Sequence, residues 1–160
     1  MNLFKGLVAG ALAGVAAGWV MERFQEQWTQ REQAAGGASG CDDEPSTVKA
    51  ADRVAVAVSG QPVPPERREQ AGEAVHYATG AGVGGIYGLL AEIAPGPTFG
   101  LGAAYGTAVA LGLDEVIVPA LGLSKTARET PPSVHAYSLA SHLVYGLTLE
   151  GARRIIRVLL

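Results

Sequence analysis

The first apolar stretch of the chain carries glycine at every fourth position, at Gly6, Gly10, Gly14 and Gly18. In water, each glycine inside a helix costs up to about 1 kcal/mol relative to alanine. In a bilayer, the same spacing places small residues along one helix face and lets two helix backbones approach closely. The spacing therefore predicts a membrane-embedded helix that packs through its glycines. Three alanines widen the small-residue face: Ala9, Ala13 and Ala17.

The composition agrees with this environment. Of the 160 residues, 48% are hydrophobic and 17% are charged, which is more apolar than an average soluble domain. The 22 glycines recur among Leu, Val, Ala and Ile rather than at every third position, which excludes collagen and argues against disorder. The 12 Lys and Arg residues are scattered and the net charge is −3, so no nucleic-acid partner is expected. We expect one membrane domain over residues 1–160, with the lipid bilayer as its partner.

Four apolar segments are candidates for membrane-spanning helices, since about 20 residues cross a hydrocarbon core of about 30 Å. They lie at about residues 3–21, 74–94, 98–118 and 134–152. The glycine spacing returns in the second and third of them, at Gly80, Gly84, Gly88, Gly102 and Gly106. The sequence thus predicts an all-α integral membrane bundle of four transmembrane helices. Eight Lys and Arg residues in the two long loops against four elsewhere favour loops on the cytoplasmic side.

The long loop, residues 22–73, is expected to be partly helical. Ser46 or Thr47 can cap a short helix that runs through Val58 and stops at Gly60. The alternating valines before Gly60 also permit a strand, but no second strand-like segment exists to pair with it. The prolines at Pro64-Pro65 predict that the second long helix begins well before the membrane.

Two features near the N-terminus bear on processing. Residues 1–20 could act as a cleaved signal peptide, but the glycine spacing has no purpose in a segment that is removed, so we expect the first helix to be retained. Cys41 is the only cysteine, cannot form an intrachain disulfide, and is expected in a water-accessible loop beside acidic residues.

Polar residues inside the predicted spans are the candidate functional residues, because such residues are costly in lipid. They are His76, Tyr87, Glu92, Asp114, Glu115, His135, His142 and Glu150. At about 100° per residue, His76 and Tyr87 share one flank of their helix, and His142 and Glu150 are expected to face the bundle interior. After the last span, three arginines are expected at lipid headgroups: Arg153, Arg154 and Arg157.

These residues allow two interpretations. In the first, they only form hydrogen bonds between helices and ion pairs near the interface. In the second, they converge into a buried site that relays protons or holds a cation. No local metal-binding, phosphate-loop or nucleophile motif is present, so we expect no metal, no cofactor and no catalytic residue. The expected function is that of a structural or interaction component, alone or with a second copy or another membrane protein; the alternative is proton or ion handling.

The spaced polar positions also carry a resemblance. The pattern reads His76-x10-Tyr87-x3-Ala91-Glu92-x2-Pro95, then Pro119-x2-Gly122-Leu123, then His142-Leu143-Val144-x5-Glu150-x2-Arg153-Arg154. It is similar to the YagU-like family of small bacterial inner-membrane proteins over about residues 74–157. The resemblance implies a helical bundle in the inner membrane, and it implies that His76, Tyr87, Glu92, His142 and Glu150 occupy motif positions. It implies no reaction, and Asp114 departs from the histidine expected at that position.

Overall fold

The computed structural model describes residues 1–36, 44–94 and 96–160, and this part of the chain is helical without a β-strand. The α-helices are α1 (Leu3–Ala34), α2 (Ser46–Ser59), α3 (Arg68–Ile93), α4 (Ala103–Val109), α5 (Val118–Ala120) and α6 (Pro132–Leu159). Turns of 3-10 helix over Pro65–Arg67 and Gly96–Gly102 precede α3 and α4, and a π-helix over Ala110–Ile117 joins α4 to α5. The predicted all-α class is confirmed.

The long helices run antiparallel to their neighbours. Gly6 of α1 lies against Gly88 of α3, while Gly14 lies against Gly80, so these two helices run in opposite directions. The start of α1 also meets the end of α6, where Lys5 Nζ donates to the Leu160 carbonyl. One end of the bundle thus holds the start of α1 and the ends of α3 and α6, and we call it the charged end after Glu92, Glu150, Arg153, Arg154 and Arg157. The opposite end, where α2 packs, is the α2 end.

The contact between α1 and α3 is made by backbone rather than side chains. A Cβ atom added to Gly10 would lie 2.2 Å from the Gly84 carbonyl oxygen, and one added to Gly88 would lie 2.0 Å from that of Gly6. Such distances are far below van der Waals contact, so only glycine fits there. Gly18 differs, because the nearest atom to an added Cβ is His76 Nε2 at 3.5 Å, an ordinary contact.

The alanines of α1 form a second buried face. Ala9, Ala13 and Ala17 are fully buried, and Met21 continues this face. Ala13, Ala17 and Met21 belong to one apolar cluster with Tyr145 and Leu149 of α6 and Tyr87 of α3. Helix α1 therefore presents its glycines to α3 and its alanines to the cluster that α6 contributes to, so it lies between these two helices.

Helix α2 forms where the sequence predicts it. It ends at Gly60, whose φ of 74° is a left-handed conformation that glycine adopts without strain. The predicted cap by Ser46 or Thr47 is absent, since the helix follows Pro45 with no side-chain cap. At the α2 end, Arg53 donates to the carbonyls of Leu121 and Gly122 just after α5. The strand alternative is wrong, and the predictions that concern Cys41 and Pro95 lie outside the described residues.

The third predicted span is less regular than expected. The prediction was one helix over residues 98–118, whereas Gly100, Leu101 and Gly102 have φ values of 62°, 56° and 88°, so α4 begins only at Ala103. At Ala110 the helix continues as a π-helix, whose hydrogen bonds span one residue more than those of an α-helix. Two helical segments, Leu3–Ala34 and Gly96–Ala120, are long and apolar enough to cross a membrane by length and composition.

Candidate functional site

The predicted polar residues are divided among four groups along the bundle rather than gathered around one centre. Two groups lie at the charged end, one lies between the π-helix and α6, and His76 lies apart against α1. Among the residues that the structure describes, no three His, Cys, Asp or Glu side chains are arranged to hold a metal ion. The four groups therefore have to be considered separately.

The deepest group at the charged end is centred on Glu150, whose side chain is only 1% exposed. Its carboxylate accepts hydrogen bonds from Tyr87 Oη at 2.7 Å, Arg153 Nε at 2.7 Å and Arg154 Nε at 2.6 Å. Arg153 adds a second bond through Nη2 at 3.1 Å, and its guanidinium lies 5.7 Å from the centre of the Tyr87 ring. A buried carboxylate with four donors is fully satisfied, so this group joins α3 to α6 as an ion-paired anchor.

The second group at the charged end joins three helices through Glu92. Arg157 of α6 donates to its carboxylate from Nε at 2.6 Å and from Nη2 at 3.4 Å. The backbone N–H of Asn2, which caps α1, donates to the same carboxylate at 2.7 Å. Glu92 is therefore an interhelical contact residue in this structure. It also lies beside the Glu150 group, and the two carboxylates line one cleft.

That cleft opens at the charged end between α3, the turn that follows it and α6. Its volume is about 400 Å³. It is lined by Ala91, Glu92, Ile93, Ala94, Thr98, Glu150, Arg153 and Arg154. Both acidic residues in its wall are bonded to arginine, so the cleft combines satisfied carboxylates with cationic side chains. Arg153 is 9% exposed and donates to Glu150, and its predicted place at the lipid headgroups stays a prediction.

The middle of the bundle holds tyrosine hydroxyls that donate to the backbone of α3. Tyr145 Oη donates to the Gly80 carbonyl at 2.7 Å, and Tyr105 Oη donates to the Val83 carbonyl at 2.8 Å. Ser141 is fully buried, and its hydroxyl has no hydrogen-bond partner among the described residues. Tyr105, Tyr145 and Ser141 were not predicted from the sequence as candidate functional residues. For the last two, the signal was their place on the same inward face of α6 as His142.

The third group lies between the π-helix and α6. Ser138 Oγ donates to the Asp114 carboxylate, and His142 Nδ1 lies 3.0 Å from the Ser138 carbonyl and 3.5 Å from Asp114 Oδ2. One turn toward the α2 end, His135 Nδ1 lies 2.5 Å from Glu115 Oε1. Two neighbouring carboxylates of the π-helix thus each face a histidine of α6, and the pairs hold these segments together.

His76 forms the fourth group, with partners of its own. Its Nε2 atom lies 3.2 Å from the Gly18 carbonyl oxygen of α1, and its ring packs edge-on against Tyr77. His142 instead contacts Ser138 and Asp114. The predicted inward orientation of His142 and Glu150 is confirmed, since both are buried. In the alternative interpretation the polar residues converge into one buried site, whereas His76, Tyr87 and His142 each have different partners here.

No known protein family, curated protein or solved structure matches this chain. The resemblance to the YagU-like family therefore stays a prediction from the spaced motif. What the chain does has to be argued from its own geometry.

Proposed function

We propose that this protein is a multi-pass protein of the bacterial inner membrane, with spans in α1, α3, the segment Gly96–Ala120 and α6, and that it acts as a structural or interaction component rather than an enzyme. One observation carries the membrane placement. The side chains that face outward in the middle of the bundle are large and apolar, whereas charged and hydroxyl groups are buried inside. In a water-soluble helical domain the outward-facing side chains are mostly polar.

The outward apolar residues occur on every long helix. On α1, Leu12 is 53% exposed and Trp19 is 54% exposed, and on α3 Ile86 is 54% exposed. The rest of this outer band is Leu7, Val15, Leu90, Leu111, Val116, Ile117, Leu139 and Leu147. So many exposed large apolar side chains are unfavourable in water, so a lipid environment accounts for them best.

The saturation of the buried carboxylates and the central tyrosines supports a structural role. Glu150 and Glu92 are both bonded to arginine, and two central tyrosines donate to backbone carbonyls. A group that works in catalysis or transport has to exchange its partners, whereas these groups hold α3 and α6 in fixed positions. We therefore favour a scaffold whose function lies in its assembly with the bilayer and with a membrane protein or a second copy of itself.

Cysteine accessibility tests the membrane placement. In a Cys41→Ser background, single cysteines at Leu12, Ile86 and Leu147 should resist a water-soluble maleimide in native membranes, although these side chains are 53%, 54% and 47% exposed in the structure. A cysteine at Arg67, in the exposed turn before α3, should react once the membrane is opened. The protein should also stay in the membrane pellet after alkaline carbonate washing. Equal labelling at all four positions would exclude the proposed placement.

One observation favours proton or ion handling as a second candidate. Polar groups follow the inner face of α6 through His135, Ser138, His142 and Tyr145, and the hydroxyl of Ser141 lies beside them with no partner among the described residues. In proteoliposomes with a pH-sensitive dye inside, a scaffold should conduct no more protons than empty vesicles. A proton flux that His142→Ala abolishes would favour the alternative instead.

A further inference from the structure

We propose that the cleft at the charged end binds the phosphate group of an anionic glycerophospholipid. The inference rests on the proposed membrane function and names a ligand class and a site for it. The cleft lies where α3 and α6 end and the segment Gly96–Ala120 begins, which is the level of the headgroups if these helices cross the bilayer. Its volume of about 400 Å³ accommodates a phosphate and a glycerol unit.

The balance of charge around the cleft favours an anion. Three arginines, Arg153, Arg154 and Arg157, surround two carboxylates, Glu92 and Glu150, so one positive charge remains after pairing. Both carboxylates already accept several hydrogen bonds, which leaves little capacity to attract a cation. The wall of the cleft thus carries one positive charge that neither Glu92 nor Glu150 neutralises.

Arg154 is the side chain best placed to contact the phosphate. Its side chain is 57% exposed, compared with 11% for Arg153. Only its Nε atom is bonded, to Glu150 at 2.6 Å, and its other N–H groups have no partner among the described residues. A guanidinium that is fixed at Nε and free at its outer nitrogens can donate two parallel hydrogen bonds to a phosphate.

An apolar rim beside the cleft distinguishes a lipid from a free phosphate ion. Ile93 lines the cleft and is 64% exposed, and Phe99, which follows the lining residue Thr98, is 77% exposed. Leu101 is 58% exposed in the same turn. A phosphate ion gains nothing from these side chains, whereas the glycerol and first acyl carbons of a phospholipid can pack against them. Cations and apolar groups side by side fit an amphiphilic anion.

Native mass spectrometry of the full chain in a neutral detergent tests the site. Bound phosphatidylglycerol should exceed bound phosphatidylcholine at equal lipid concentration. Arg154→Gln should weaken phosphatidylglycerol binding about fivefold, since one basic residue at an anionic lipid surface contributes about that factor. This variant leaves Glu150 bonded to Arg153 and Tyr87, so the fold should survive. The matched control, Arg67→Gln, removes the same charge at the α2 end and should leave binding unchanged.

Two further measurements decide the ligand class. Phe99→Ala should reduce phosphatidylglycerol binding about threefold without changing the helical circular dichroism, because it removes apolar rim contact only. Millimolar inorganic phosphate should fail to displace the lipid; displacement would assign the site to phosphate alone and overturn the lipid proposal. Equal loss in the Arg154 and Arg67 variants, or no preference for the anionic lipid, would also overturn it. If the protein then still resists carbonate extraction, the proposed membrane function stands without this site.

Discussion

Two contacts between helices are made through glycine, and they differ in how much of each helix takes part. Between α1 and α3, three glycines from each helix meet, and every one lies with its missing Cβ position 2.0 to 3.0 Å from a carbonyl oxygen of the other helix. Between the α4 segment and α6, only Gly102, Gly106 and Gly146 do so, at 2.2 to 2.4 Å. The first contact is continuous over about two helical turns, and the second is confined to about one.

In the contact with α6, hydrogen bonds between polar side chains take over where the glycines end. Beyond Gly106 the chain becomes a π-helix, and it is held to α6 by the pairs of Asp114 with Ser138 and of Glu115 with His135. Among the described residues, the side-chain links between α1 and α3 lie at the two ends of the glycine contact, for example at Glu92 with Asn2 and at His76 with Gly18. Close approach of two helices can thus be specified by a long small-residue stripe or by a few glycines with side-chain links. The two solutions should respond differently to substitution.

The largest effect is expected at the continuous contact. Gly10→Ala places a Cβ atom 2.2 Å from the Gly84 carbonyl oxygen and 2.8 Å from Gly88 Cα, and neither backbone can move without separating the helices. We expect the free energy of unfolding to fall by about 3 kcal/mol. It can be measured by titration with sodium dodecyl sulfate in mixed micelles. The matched control is Gly18→Ala, whose Cβ has ordinary contacts and should be neutral or slightly stabilising. Equal losses would show that the contact is not specific.

A smaller effect is expected at the short contact. Gly106→Ala brings a Cβ atom 2.2 Å from the His142 carbonyl oxygen, but α4 spans only 7 residues and can shift while α1, α3 and α6 stay packed. We expect a loss of about 2 kcal/mol, together with weaker crosslinking between cysteines placed in α4 and α6. Gly112→Ala, where an added Cβ has open space, is the control. A loss as large as that of Gly10→Ala would remove the distinction between the contacts.

The polar links should contribute less than either glycine contact. Asp114→Asn keeps an acceptor for Ser138 but removes the charge that lies 3.5 Å from His142 Nδ1. Since hydrogen bonds between membrane helices average about 0.6 kcal/mol, we expect a loss below about 1 kcal/mol. Thermal unfolding in detergent should show it as a small downward shift. A loss above that of Gly106→Ala would mean that the polar links, not the glycines, dominate this contact.

The smallest effect concerns the loop between α5 and α6, which belongs to neither contact. The N–H and hydroxyl of Thr126 donate to Glu129 at 3.0 and 2.7 Å, and these bonds lower the pKa of the Glu129 carboxyl. A lowered folded-state pKa contributes stability above the unfolded-state pKa, and this is lost as pH falls through the folded-state pKa. Protease cleavage of the loop should therefore rise in acid, while Glu129→Gln should be cleaved equally at neutral and acidic pH. Equal pH dependence in both proteins would contradict the assignment.

The parts of the fold that follow from local sequence were predicted. The helix that ends at Gly60 and the start of α3 after Pro64-Pro65 depend on the backbone preferences of a few neighbouring residues. The inward direction of His142 and Glu150 follows from helical periodicity alone. In each case the interaction that decides the structure lies within a few neighbouring residues, so it can be read from the local sequence.

The parts that depend on distant contacts were missed. The left-handed turn at Gly100–Gly102 and the π-helix contact residues of α6 that lie about 20 to 45 positions further along the chain. The burial of Arg153 beside Glu150 was missed, because the sequence does not show that Tyr87 of another helix donates to the same carboxylate and lies against the guanidinium. The division of the polar residues into four groups depends in the same way on which helices are neighbours.

The glycine face of α1, formed by Gly6, Gly10 and Gly14, is synthesised well before the helix that covers it. Gly10 leaves the ribosome about seventy residues before Gly84. In the folded protein the Gly84 carbonyl oxygen occupies the space that a Cβ atom on residue 10 would need. At about 5 to 20 residues per second, the glycine face of α1 stays uncovered for roughly 4 to 15 seconds. In that interval the stripe is open to any helix with a similar face, including an α1 from a neighbouring nascent chain. The face of α1 that packs most closely in the folded protein is thus the face that is most open to other helices during synthesis.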